Sequence, residues 1–120
     1  MRARLYHNPR CATSRKALAA LQAAGAELDV VEYLKGKVPR SEWAAVLDKV
    51  GGDPTRLLRA REPLFKDLKL APKIAAGKLG REEVLDLLTK HPRLLERPVV
   101  VVGERGLIAR PAERALELLG

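Results

Sequence analysis

The apolar positions of this chain change their spacing along its length, and each change marks an element. Arg2 to Tyr6 makes a short strand. Ala12 to Ala24 follows with helical spacing, Leu18, Leu21 and several alanines sharing one side. Gly25 ends that helix, as a residue without a Cβ commonly does. Leu28 to Tyr33 is a second strand, rich in valine. Strand, helix and strand in this order predict a βαβ unit with a right-handed crossover and a parallel strand pair. Lys35, Gly36 and Pro39 then interrupt the pattern.

From Pro39 to Glu96 the spacing is that of short helices only. Ser41 is an N-cap candidate for Glu42 to Val50, and Asp53 caps a turn containing Pro54 through Arg59. Glu62 to Leu68, Pro72 to Ala76 and Arg81 to Lys90 are further helical pieces. Pro98 to Val102 is an almost wholly apolar strand, Gly103 to Gly106 a turn, and Leu107 to Ala109 a short returning strand. Pro111 to Leu119 closes the chain as a helix with apolar Ala115, Leu116, Leu118 and Leu119. The order predicts an α/β domain over residues 1–120. Its mixed four-stranded sheet is flanked by helices, with a helical insertion at about 39–96 between the βαβ and ββα halves.

Composition narrows the classes. With 120 residues, 47% hydrophobic and 32% charged, the chain has the balance of one folded domain with a core and not of a disordered segment. No apolar run approaches the roughly 20 residues a bilayer-spanning helix needs. The N-terminus turns polar at His7 and offers no signal-peptide hydrophobic region. One cysteine excludes an internal disulfide framework and fits a reducing compartment, so a cytoplasmic protein without membrane partners is expected. The net charge of +8 suits an anionic partner. Its basic residues are scattered, however, and Phe, Trp and Tyr together are only four, which argues against nucleic acid.

That cysteine, Cys11, stands where a strand and Pro9 give way to a helix. Unpaired backbone N–H groups at a helix N-terminus favour negative charge. They favour a thiolate, the reactive form of cysteine, and they favour a bound oxyanion. Most free cysteines are buried small hydrophobes. Cys11 differs, because His7, Asn8, Arg10, Thr13, Ser14 and Arg15 crowd it with polar groups.

The run His7-Asn8-Pro9-Arg10-Cys11-Ala12-Thr13-Ser14-Arg15 resembles the active-site loop of the ArsC-type arsenate reductases, the glutathione- and glutaredoxin-dependent class. Leu57-Leu58-Arg59, His91-Pro92, Arg97-Pro98-Val99-Val100-Val101 and Ala109-Arg110-Pro111 recur in that family's order and spacing, so the likeness spans essentially the whole chain. The resemblance implies a thioredoxin-like fold, with Cys11 as nucleophile toward arsenate and Arg59, Arg97 and Arg110 holding the oxyanion. The residues themselves fit such a role, since the arginine fork donates paired hydrogen bonds to tetrahedral oxyanions. Arg56 and Arg61 are alternatives to Arg59 on the same stretch.

The resemblance also marks Arg97–Pro98 as a candidate cis bond beside the thiol. His7 is expected to be a charge partner that lowers the Cys11 pKa, with Asn8, Thr13, Ser14 and Arg15 shaping the loop. His91 reads as structural, and neither histidine has the companions of a metal site. Serine at position 14 makes the motif C-x-x-S, so no second thiol exists in the chain to resolve an adduct on Cys11. The second thiol must come from outside, which the family supplies as glutathione and glutaredoxin, with no bound cofactor. Ala12, where the family commonly has glycine, and Arg10, where it often has a small residue, are departures in the anion loop. Two other roles fit the same fold. One is an Spx-like regulator binding RNA polymerase, and the other a glutathione-dependent thiol oxidoreductase without an oxyanion substrate. The arginine set and the lone cysteine favour the reductase.

Overall fold

The computed structural model describes residues 1–119. Strands β1 (Arg2–Tyr6), β2 (Glu27–Val31), β3 (Val99–Val102) and β4 (Arg105–Ile108) form one sheet in the order β2-β1-β3-β4. β1 pairs parallel with β2 and antiparallel with β3, and β3 pairs antiparallel with β4. Helix α1 (Ala12–Ala23) makes the crossover between β1 and β2. Helices α2 (Arg40–Val50), α3 (Pro63–Asp67), α4 (Leu70–Ala75) and α5 (Arg81–Lys90) make up the insertion. The arrangement is the thioredoxin-like one the sequence predicts.

The period of two along each strand divides the interior into two clusters. Ala3 and Leu5 of β1 and Val100 of β3 face one side of the sheet, where Ala17 and Leu21 of α1 and Ala112, Ala115 and Leu118 of the C-terminal helix cover them. Tyr6, Val99 and Val101 face the other side and pack beneath Trp43, Val46, Leu85 and Leu88 of the insertion. A polar clamp fixes that second layer at its rim. Tyr6 Oη donates to Glu42 Oε2 (2.7 Å), Arg4 Nη2 donates to the same oxygen (2.9 Å), and Arg4 also pairs with Asp29. Gly25 ends α1 at φ +77°, a left-handed conformation that glycine adopts without a Cβ penalty.

Several expected boundaries move, for local physical reasons. β2 runs from Glu27 and stops at Val31, so Tyr33 leaves the strand and enters the core of the insertion. Pro39, not Ser41, holds the N-cap position of α2, and Ser41 lies exposed inside the first turn. Asp53 does cap its turn, accepting from Thr55 N at 2.9 Å, but the 3₁₀ turn ends at Leu57, short of Arg59. β4 begins at Arg105, so the hairpin turn tightens to Gly103 and Glu104. The C-terminal helix, Ala112–Leu118, is 3₁₀ throughout.

Leu21 is wholly buried at the contact of α1 with the sheet. Leu21→Ala removes that contact and leaves a cavity, with an expected loss of about 2–5 kcal/mol. Urea denaturation monitored at the single tryptophan measures it; a midpoint unchanged from the parent would contradict this packing.

Candidate active site

The loop between β1 and α1 is built from its own hydrogen bonds. His7 N donates to Val31 O (2.8 Å), tying the loop to the end of β2. Asn8 turns the chain twice: its carbonyl accepts from Cys11 N (3.0 Å), and its Oδ1 accepts from Arg10 N (3.0 Å). Cys11 O then accepts from Arg15 N (3.0 Å), the first helical bond, and Arg15 Nη1 reaches back to Pro9 O (2.9 Å). Cys11 therefore occupies the N-cap position in extended conformation (φ −96°, ψ 121°), half-buried, with its sulfur at the mouth of the helix.

His7 sits differently from expectation. It is 6% exposed, and its Nδ1 lies 2.6 Å from Ser14 Oγ. Ser14 Oγ accepts from Asn8 N (3.1 Å), which leaves its own proton free for Nδ1. Burial pushes the imidazole pKa down, Glu32 opposing and Arg15 assisting. A neutral ring is thus favoured, and His7 supports the floor of the loop through Ser14. It is not a cation beside the sulfur.

The charge beside the sulfur comes from elsewhere. Burial alone would raise the Cys11 pKa. The Ser14 backbone N–H, the Arg97 guanidinium and the Thr13 backbone N–H outweigh it, and the thiol lies below its ordinary value. Two of these three influences are the helix N-terminus itself, and the third arrives from the far end of the chain.

Strand pairing explains that arrival. Val99 pairs with Ile108, so the residues just outside the pair, Arg97 and Arg110, emerge at the same end of the hairpin. The Arg97–Pro98 bond is cis, as expected, and Arg110–Pro111 is cis as well. Arg110 Nη1 donates to the Arg97 carbonyl (2.9 Å), locking the two together. Arg59 joins through backbone pairing. Leu58 bridges Leu95, Arg59 N donates to Leu94 O (2.7 Å), and Glu96 N donates to Leu57 O (2.7 Å). This places Arg59 in the cluster as a half-buried side chain, whereas Arg56 and Arg61 are exposed.

One member was not anticipated. Glu96 Oε1 lies 3.5 Å from Arg59 Nη1 and 3.9 Å from Arg110 Nε, with its side chain only 24% exposed. Its place beside Arg97 was the one signal available, and a carboxylate is not what an anion site invites. Tyr33 is a second unanticipated neighbour. It is wholly buried, and among the described residues its hydroxyl finds no hydrogen-bond partner, nor does the buried Arg97 Nε. Burial pushes the Tyr33 pKa up to about 12, with the charges of Arg97, Cys11, Arg59 and Glu96 all acting on it. Among the described residues, no three His, Cys, Asp or Glu side chains gather as a metal site. Ala12 and Arg10 are exposed.

A lone thiol at a helix N-terminus, beside a cis-proline strand in a thioredoxin-like frame, defines a thioredoxin-like thiol protein, and the clustered arginines set it apart from one built only for dithiol exchange. Comparison with known proteins narrows the class further. The chain belongs to the ArsC family, whose model matches residues 6–118. It is 34% identical to an arsenate reductase of Haemophilus influenzae over 116 residues, 96% of this chain and 97% of that one. It is 36% identical to YfgD, an uncharacterized Escherichia coli (strain K12) protein, over 98% of this chain and 96% of that one. A solved arsenate reductase from Vibrio cholerae superposes with a TM-score of 0.87 at 30% identity, covering 98% of this chain and 97% of that chain.

Arg97→Ala removes the guanidinium that favours the thiolate, so the Cys11 pKa rises and the thiolate fraction at neutral pH falls. Iodoacetamide alkylation at pH 7 should slow about threefold to tenfold, the two rates converging at alkaline pH where both thiols are ionised. An unchanged pH profile would detach Arg97 from the sulfur.

Proposed function

We propose that the protein is an arsenate reductase in which Cys11 is the nucleophile, Arg59, Arg97 and Arg110 hold the oxyanion, and external thiols supply the reducing electrons. The observation that supports this is Arg97 beside Cys11, with Arg110 bonded to the Arg97 carbonyl and Arg59 brought to the adjoining residue Glu96 by backbone pairing. The relatives named arsenate reductase support this reading.

The arrangement suits the chemistry. The lowered thiol pKa enlarges the thiolate fraction over that of an ordinary cysteine, and the arginines offset charge as it builds on the oxygens of the pentavalent arsenic. Sγ forms a bond to arsenic while one oxygen departs as water, taking up protons. The arsenic still has to gain two electrons. An external thiol attacks the adduct, arsenite leaves, and Cys11 is left in a mixed disulfide. A second external thiol exchanges with that disulfide and restores Cys11. The net change is arsenate plus two thiols to arsenite, a disulfide and water. Because Ser14 occupies the position of a resolving cysteine and is engaged beneath the loop, both electrons come from outside. Glutathione and glutaredoxin are the thiols the family resemblance implies. A cleft of about 370 Å³ lies beside the loop, lined by His7–Arg10, Glu32, Leu34 and Lys35.

The test is arsenate-dependent NADPH oxidation with glutathione, glutathione reductase and glutaredoxin. Cys11→Ser should abolish turnover, and Arg59→Ala, Arg97→Ala and Arg110→Ala should each lower kcat/KM by about 10²-fold, the scale of one lost charge-stabilising donor. No arsenate-dependent turnover by the unaltered protein would refute the assignment.

A further inference from the structure

We infer that Glu96 is a specificity-determining residue that reads the proton on the bound oxyanion, admitting protonated tetrahedral anions and rejecting aprotic ones. This rests on the oxyanion reading of the arginine cluster. The carboxylate stands among the cations that would hold the substrate: Oε1 is 3.5 Å from Arg59 Nη1 and 3.9 Å from Arg110 Nε, and the next residue is Arg97. All three side chains of these contacts are mostly shielded from solvent, at 17% exposure for Arg59, 27% for Arg110 and 24% for Glu96. Screening by water is therefore weak, and the sign of each charge counts.

An anion resting on Arg59 and Arg110 brings an oxygen up to Glu96. If that oxygen carries only lone pairs, it faces a carboxylate that has only lone pairs, and the contact is repulsive. If it carries a proton, the same contact becomes a short, charge-assisted O–H···O⁻ hydrogen bond, among the stronger kinds in proteins. Arsenate and phosphate retain a proton near neutral pH, whereas sulfate does not. All three are tetrahedral and similar in size, so arginines alone cannot separate sulfate from the others. A carboxylate can, by the repulsive contact it presents to the wrong ligand. The same residue orients Arg59 and Arg110 before substrate arrives. It does not separate arsenate from phosphate, which share the proton; that discrimination falls to the reaction at sulfur.

Protection of Cys11 from iodoacetamide, titrated with phosphate, arsenate or sulfate at one pH and at ionic strength held constant with chloride, tests this. In the unaltered protein, half-protection by sulfate should need at least about tenfold more anion than by phosphate. In Glu96→Gln, whose amide can donate to an aprotic oxygen, that ratio should fall to within about threefold. Glu96→Asp, which keeps the carboxylate, should retain the exclusion of sulfate. Equal protection by sulfate and phosphate in the unaltered protein, or the same ratio in Glu96→Gln, would overturn the role of Glu96 while leaving the oxyanion site standing. Failure of both arsenate and phosphate to protect the unaltered protein and Glu96→Gln would instead overturn the oxyanion site, and this role with it.

Discussion

The attraction between the Cys11 sulfur and the Arg97 guanidinium is the contact on which the site depends. Burial of the sulfur by itself would hold the thiol protonated and inert. Only opposing charge reverses that, and the helix N-terminus supplies part of it through the Ser14 and Thr13 N–H groups. Arg97 supplies the rest, and its position is a consequence of the sheet. β1 pairs directly with β3, Tyr6 opposite Val99, so the residues that follow β1 and those that precede β3 meet at one end. The loop of Cys11 and the entry to β3 are thereby neighbours by strand register. A shift of one residue in that register would exchange Val99 and Val101 with Val100 between two differently shaped clusters as well as moving Arg97, so packing protects the chemistry.

The other charges are arranged around this pair in a graded way. Arg110 is fixed by its hydrogen bond to the Arg97 carbonyl, and Arg59 by the short pairing of residues 57–59 with 94–96. Glu96 spans both without neutralising Arg97, which leaves the guanidinium nearest the sulfur for Cys11 and a ligand. Among the described residues three buried donors lack a partner, and two of them, Arg97 Nε and Tyr33 Oη, belong to this cluster, the third being Trp43 Nε1 of the insertion. Buried unsatisfied donors each cost on the order of 1–3 kcal/mol. The two in the cluster have hydrogen-bonding capacity left over for acceptor oxygens.

The sequence disclosed the parts of this that local chemistry determines. The helix start at Cys11, the valine strand after Arg97, the cis bond at Pro98 and the lack of a second cysteine were all legible, because each follows from pattern, from a family motif or from a residue count. Where side chains decide among partners, it was not. His7 lies next to the loop in sequence and invites a role as a cation, yet burial and Ser14 favour the neutral ring. Glu96 carries no such signal, since a carboxylate beside an arginine in sequence says nothing of two other arginines 37 residues before and 14 after it; only the pairing of the insertion's ends and the hairpin brings them together. Ser41 was a reasonable cap by residue type, but Pro39 sets the extended conformation one residue before α2 begins and takes the position first.

The most direct test of the central claim is a crystal structure of Cys11→Ser grown with arsenate. The replacement hydroxyl cannot carry out the redox step, so the anion should remain intact at its binding site. The account predicts a tetrahedral anion at the mouth of α1, within hydrogen-bonding distance of Arg59, Arg97 and Arg110, with one oxygen against Glu96. Arsenate bound elsewhere, with Arg59 and Arg110 still held by Glu96 and the mouth of α1 vacant at saturating anion, would contradict it.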